Sequence, residues 1–392
     1  MRIRRAFFAC WPALLLMACQ RERTSSETVR STIPTWTLDT LAVTDIDAPA
    51  DNSPHPIAHL GGMARLSDGR FVIMDVGASE VRIVDVARQV TSITGRRGDG
   101  PGEFRFARDV GVCTGDSIAV FQAGRLSLLD PKGAFARSVT VPPAAGTNET
   151  PIAIDRQDCM RSLWLRRSPL PLDSTGWLGQ QHELLWRSGA DTQPVARYAG
   201  LTRYRTQVDG QPAMLSIPWS GSPAVAVHDG VVALSTMGGS TVRFFAGTSA
   251  PRDITWNLPS MHVTTADLQR YDSTRTAWIA EEPRYATSLV PSVSLPVTPT
   301  VKPPIATMLM AESGDIWVRA YPTGTDGLDQ AARSRGHTEQ WHVMRPDTEA
   351  PIAAIAIPTA FRPKIVTADT VFGVWTDDDR GQMVRAFPLR HR

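Results

Sequence analysis

Asp68-Gly69-Arg70-Phe71-Val72-Ile73-Met74 places a tight polar turn directly before a short apolar strand. The same phrase returns along the chain. Gly115-Asp116 precedes Ile118-Ala119-Val120-Phe121, and Asp229-Gly230 precedes Val232-Ala233-Leu234. Ser313-Gly314-Asp315 precedes Ile316-Trp317-Val318, and Asp369-Thr370 precedes Val371-Phe372-Gly373-Val374. Leu163-Trp164-Leu165 is a sixth strand of this kind with a less distinct turn. Strand-and-turn units recurring at ~40–50 residues are the mark of propeller blades. The expectation is an all-β, six-bladed propeller.

The surroundings of each phrase extend it. In the second unit Ala107 to Val112, Ile118 to Phe121, Arg125 to Leu129 and Phe135 to Val139 read as four strands. Asp130-Pro131-Lys132-Gly133 supplies the turn chemistry between the last two. The first unit divides the same way: His59 to Leu66, Phe71 to Met74, Val81 to Val84 and Gln89 to Ile93. Near-continuous apolar runs mixed with alternation suit sheets covered on both faces. Between these units runs Gly95-Arg96-Arg97-Gly98-Asp99-Gly100-Pro101-Gly102-Glu103-Phe104. Its glycines suit a sharp crossing between blades with φ > 0 positions. A phosphate cradle would need a following helix and a P-loop lysine, and neither is there.

That link resembles the one in NHL-type propeller repeats. With Asp68 to Val72, Ser313 to Val318 and the ending Phe372-Gly373-Val374-Trp375, it makes the chain from about Trp36 to Leu389 similar to bacterial six-bladed NHL-like propeller lipoproteins. The resemblance implies the fold and export; the later repeats depart from the NHL pattern, so no ligand roles carry over.

Second strands begin at 71, 118, 163, 232, 316 and 371, so the first two intervals are simple blades and the later ones hold insertions. One comprises Pro169 to Gln181 with Tyr198 to Trp219; the other spans 259–302 between blades four and five. Inside the second, Thr264-Thr265-Ala266-Asp267 reads as a helix N-cap followed by an acid in the first turn. Leu268, Tyr271, Arg275 and Trp278 then fall at helical spacing, which predicts a helix from Thr265 to Glu281. Ser288 to Pro304 is expected to return the chain in extended form. The sixth unit shows only three strands, so Trp36 to Thr44, with alternating Trp36, Leu38 and Leu41, is expected to supply the fourth and close the ring.

The first residues carry an address. Arg2, Arg4 and Arg5 form a positive region, Ala6 to Ala18 a short apolar one, and Leu16-Met17-Ala18-Cys19 resembles the lipobox of bacterial lipoproteins. The resemblance implies a signal peptide over 1–18, cleavage before Cys19 and acylation of that cysteine. Residues 19–34 are then a polar tether, and 35–392 the propeller. Gln20, where an inner-membrane retention signal places Asp, favours the outer membrane by analogy. The chain of 392 residues has net charge +2, and losing the three arginines of the signal leaves about −1. That balance makes no case for a nucleic-acid partner. Export places Cys113 and Cys159, 46 residues apart, in an oxidising compartment. A disulfide between adjacent blades and two buried free thiols are both open readings.

Reaction motifs are sparse. There is no Gly-x-Ser-x-Gly, His-Glu-x-x-His, Cys-x-x-Cys or P-loop, and the eight histidines are scattered. No catalytic residue, metal site or cofactor is expected. The acidic run Asp377-Asp378-Asp379 suits a hairpin turn better than a calcium loop. Propellers bind ligands at the mouth of the channel, where inner strands start. Candidates there are His59, Arg105, Arg108, Asp109, Arg362 and Lys364. The insertions add Arg203, Tyr204, Arg205, Trp219, Arg284 and Tyr285. A cationic, aromatic-edged mouth suits a small molecule, a glycan or a peptide, and an envelope protein is a further partner class. The function expected is a ligand- or protein-binding scaffold in the cell envelope, tied to the membrane by its lipid. The alternative is a metal-dependent propeller lyase or lactonase, which needs several His, Asp or Glu side chains converging on the axis.

Overall fold

Each quoted apolar run is the second strand of an antiparallel sheet in the computed structural model of the chain. The structure describes residues 33–391 except 47–56, 123, 142–147, 171–174, 190, 209–210, 216, 237, 259–260, 282, 284–288, 297, 322–337 and 378–380. Among the described residues, the sheets follow one another as blades. Blade 1 is Leu60–Arg65, Phe71–Asp75, Glu80–Asp85 and Val90–Thr94. Blade 2 is Asp109–Cys113, Ser117–Gln122, Arg125–Leu129 and Phe135–Thr140. Blade 3 begins with Asn148–Ile154 and Arg161–Arg167. Blade 4 is Val225–His228, Val231–Ser235, Thr241–Ala246 and Arg252–Thr255. Blade 5 is Thr307–Met310, Ile316–Arg319, Thr338–Met344 and Ala353–Pro358. Blade 6 is Phe361–Val366, Thr370–Asp377 and Gly381–Arg390.

The apolar runs are continuous because each blade is sandwiched between two others, and successive side chains serve different neighbours. Ile118 and Val120 pack toward blade 1 with Val72, Met74 and Phe104. Ala119 and Phe121 pack toward blade 3 with Ile154, Trp164 and Leu185. Leu163 and Leu184 meet Val232 of blade 4, whose Ala233 and Phe244 meet Met308 and Ile316 of blade 5. Trp317 and Val343 meet Phe361 and Val371 of blade 6, and Val374 and Val384 meet Phe71 and Ile73 of blade 1. These shared cores form a closed cycle through the described sheets, so the fold is a β-propeller.

In the Gly95–Phe104 link the glycines and the glutamate have separate tasks. Gly95 has φ 93°, and an added Cβ would lie 2.2 Å from the buried Phe104 ring. Glu103 accepts from the Gly100 N–H and the Arg96 guanidinium, holding the loop that delivers Phe104 to the core.

The N-terminal segment closes the ring differently from a single strand. Thr35–Leu38 runs parallel to Ala353–Pro358 of blade 5 through Thr35 and Trp36, then antiparallel to Gly381–Arg390 of blade 6 through Thr37 and Leu38. Thr44–Asp45 resumes the pairing with blade 6. Between them Asp39 accepts from the Leu41 and Ala42 N–H groups. This turn interrupts the expected Trp36–Thr44 strand and leaves Leu41 97% exposed rather than in the core.

Among the described residues both insertions bury apolar side chains outside the blade cores, and Ala213, Leu215 and Ile217 of the first pack with Val290 and Leu295 of the second. The first lengthens blade 3 into an arm, Gly176–Ser188 and Asp191–Val208, edged by Gln211–Leu215. The second is pinched at its base by Met261–His262 pairing with Val301–Lys302 and carries a helix, Thr265–Glu281. Thr264 and Asp267 cap that helix reciprocally. The return after the helix is less extended than expected, with a 3-10 turn at Ser292–Ser294. Trp219, Tyr271, Leu289 and Tyr321 share a core that joins the insertions to the approach to blade 4 and to the chain just after the second strand of blade 5. Cys113, at the end of the inner strand of blade 2, is disulfide-bonded to Cys159 of blade 3, with Cα atoms 5.2 Å apart. Among the described residues no helix is long and apolar enough to cross a membrane.

Candidate functional site

The inner strands enclose a channel cavity of about 290 Å³, to which every blade contributes. Apolar side chains line it, among them Val110 and Val112, Ile152 and Ile154, Val227, Leu309 and Met310, and Ile365, with charged side chains set between them.

Charged groups enter the cavity at two levels. Where the inner strands end, Arg65 Nη1 lies 3.8 Å from Glu312 Oε2, and Arg156 Nε lies 3.6 Å from Asp229 Oδ1. His228 Nε2 is 3.4 Å from the other oxygen of Asp229. These groups largely neutralise one another. Before that level stand Asp109, the first residue of its strand in blade 2, and Lys364, the fourth of its strand in blade 6. The Val110 N–H donates to Asp109 Oδ1 at 2.8 Å. The carboxyl rests on Gly62, where an added Cβ would fall 1.6 Å from that oxygen. Burial pushes the Asp109 carboxyl above the usual carboxylate range; the Val110 N–H and the Lys364 charge pull the other way without offsetting it. Such a site offers one acceptor carboxyl and three ammonium donors between apolar walls.

The structure brings together Asp109 and Lys364 of the residues singled out in the sequence and distributes the others. His59 is exposed, and its backbone N–H is held by the buried Asp75. Arg105 is exposed and paired with Asp99 at 2.8 Å. Arg108 is exposed beside blade 1, its carbonyl lying against Gly61. Arg362 is exposed on the inner strand of blade 6 outside the cavity lining. Arg203, Tyr204 and Arg205 lie on the blade 3 arm, opposite Leu178, Trp177 and Gly176, where Tyr204 meets Trp177 edge-on at 5.4 Å. Trp219 is buried against Tyr271 of the helix. Arg284, Tyr285 and Cys19 lie outside the described residues.

Sequence reading passed over Arg65, Arg156, His228 and Glu312. They follow the last apolar residues of inner strands, so the available signal was the strand end. Asp229 was visible only as a turn residue. Among the described residues no three His, Cys, Asp or Glu side chains are grouped closely enough to hold a metal ion.

No protein-family model matches the chain. No curated protein matches it in sequence. Solved structures do resemble it. A protein from Bacteroides fragilis described as exported is 11% identical with a TM-score of 0.49, over 91% of this chain and 95% of that one. A member of the DUF4221 family from Bacteroides vulgatus is 9% identical with a TM-score of 0.48, over 89% and 96%. The virginiamycin B lyase from Staphylococcus aureus is 8% identical with a TM-score of 0.38, over 90% and 99%. At these values the likenesses carry no conclusion about activity.

Proposed function

We propose that this chain is an exported, lipid-anchored propeller of the bacterial cell envelope, of the NHL-like kind, and that it binds a small molecule in its channel. The observation that carries the binding reading is the cavity itself. It is lined by every blade, carries apolar side chains between charged ones, and holds a carboxyl from blade 2 and an ammonium from blade 6. Polar groups set among apolar walls in a concavity are the makings of a small-molecule site, and about 290 Å³ lies just below the ~300–1,000 Å³ range of such sites. A folded protein or a long glycan does not fit this volume. The anchor rests on Arg2, Arg4, Arg5 and the Leu16–Cys19 motif, with the outer membrane favoured by Gln20.

Ala153 lines the cavity and is partly exposed, so an indole there fills the channel without entering a blade core. Small metabolites of envelope extracts are expected to raise the melting temperature of the natural protein and to leave Ala153→Trp unmoved. Equal shifts in both proteins would place binding elsewhere. For the anchor, Cys19→Ser is expected to release the protein from the membrane fraction and abolish incorporation of a palmitate label; retention with label would refute it.

A further inference from the structure

We infer that the occupant of the channel is a small zwitterion of the amino-acid type, its ammonium on Asp109, its carboxylate on Lys364 and its apolar body against Ile154, Leu309 and Ile365. This rests on the channel-binding reading above and goes further, to the chemistry of the ligand.

The argument is one of unspent charge. At the strand ends Arg65 has Glu312, and Arg156 and His228 have Asp229, so that level of the channel is self-compensated. Asp109 and Lys364 are different. The hydrogen bond Asp109 receives among the described residues is from the Val110 N–H, which occupies one oxygen. Lys364 is exposed to the channel and reaches Asp109 only through its charge. A carboxyl oxygen and an ammonium group therefore face the same apolar space with capacity to spare. An anion entering alone would pair with Lys364 and bring a like charge to Asp109. A cation entering alone would do the reverse. A neutral apolar molecule would strip water from both groups and return nothing, which is costly. A molecule carrying both charges satisfies both groups and adds no net charge to the cavity. The walls between them are aliphatic, which suits an aliphatic or aromatic side chain, and the volume limits the ligand to roughly the size of a single residue or a dipeptide.

Three matched probes test this: leucine, N-acetylleucine without the ammonium, and leucinamide without the carboxylate, each titrated calorimetrically into the full mature chain. Leucine is expected to bind, and each derivative to bind about tenfold more weakly or worse. Asp109→Asn and Lys364→Met are each expected to weaken leucine by about tenfold, while Lys364→Arg, which keeps the charge, retains binding. The exposed position of Lys364 makes both of its variants compatible with the fold. If N-acetylleucine binds as tightly as leucine and Asp109→Asn leaves it unchanged, the site is an anion site and the zwitterion assignment fails, with channel binding intact. If none of the three binds while another ligand still loses its thermal shift in Ala153→Trp, the assignment also fails and the channel reading stands.

Discussion

Asp109 is kept in a position that costs stability. Its carboxyl lies against the bare Cα of Gly62, one strand away, in an environment whose burial raises its pKa. A carboxyl raised in the folded state contributes its full stability below the unfolded value of 3.8, and loses it as the pH climbs through the folded value. At neutral pH the folded protein therefore bears a partly desolvated charge that the unfolded chain does not. Asn is isosteric, keeps an oxygen for the Val110 N–H and fits over Gly62. Asp109→Asn is accordingly expected to melt higher than the natural protein at pH 7, with the gap closing as the pH falls toward 4; thermal melts of the two proteins across that range measure it. A gain in stability together with a loss of binding is the pattern of a residue retained for function. The sequence could list Asp109 and Lys364, because both stand on inner strands. It could not separate them from His59, Arg105 or Arg362, because strand position fixes the level of a side chain along the axis while pleat and bulge decide which way it faces. One such bulge falls between Pro363 and Ile365, beside Lys364.

At the scale of elements, legibility followed the range of the interactions involved. The helix was readable to its ends because its cap is local: Thr264 and Asp267 are three residues apart and satisfy each other. The blade 3 arm appeared in the sequence only as extra length: His182 to Ser188 pairs with Arg161–Arg167 of the blade, and only Gly176 to Gln181, with its partners in Asp191–Val208, reaches beyond it. The Asp39 turn that breaks the first strand depends on a carboxylate bond that composition does not announce. What fastens the helix to the base of its insertion was also invisible, since it joins residues 35 apart: Lys302 Nζ donates to Asp267 Oδ1 at 2.8 Å, both side chains buried. Burial pushes the Asp267 carboxyl up, but the hydrogen bonds from Lys302 and Thr264 outweigh it and hold the group below the usual carboxylate range. Lys302→Met leaves that carboxylate buried without its cation, a loss of about 3–5 kcal/mol. Because the insertion has its own core with Trp219, Tyr271 and Leu289, the damage is expected to stay local. Amide exchange should rise through Thr265–Glu281 while the blade strands keep their protection; uniform loss of protection would show that the insertion and the ring unfold as one unit.

Across the whole molecule, stability depends on the ring being closed, because every blade core is shared with the next. The seam between blades 5 and 6 is unlike the others. The segment Thr35–Leu38 changes partner halfway along, bonding blade 5 through Thr35 and Trp36 and blade 6 through Thr37 and Leu38. Trp36 lies 6.2 Å from the Trp317 ring and 4.3 Å from His391, so the same segment also packs over the shared core of the two blades. Asp45 adds an ion pair to Arg385 at 2.6 Å. Removing residues 33–46 takes away a Trp and a Leu from that core and leaves two strand edges unpaired, a loss of about 3–5 kcal/mol on the scale of large-to-small core truncations. The truncated protein is therefore expected to melt lower and less cooperatively, with amide protection lost first in Ala353–Pro358 and Gly381–Arg390. A synthetic peptide of residues 33–46 added in trans should restore both. If the truncated chain melted like the natural one, the blades would hold the ring without this segment, and its partner switch would be a consequence of closure rather than its cause.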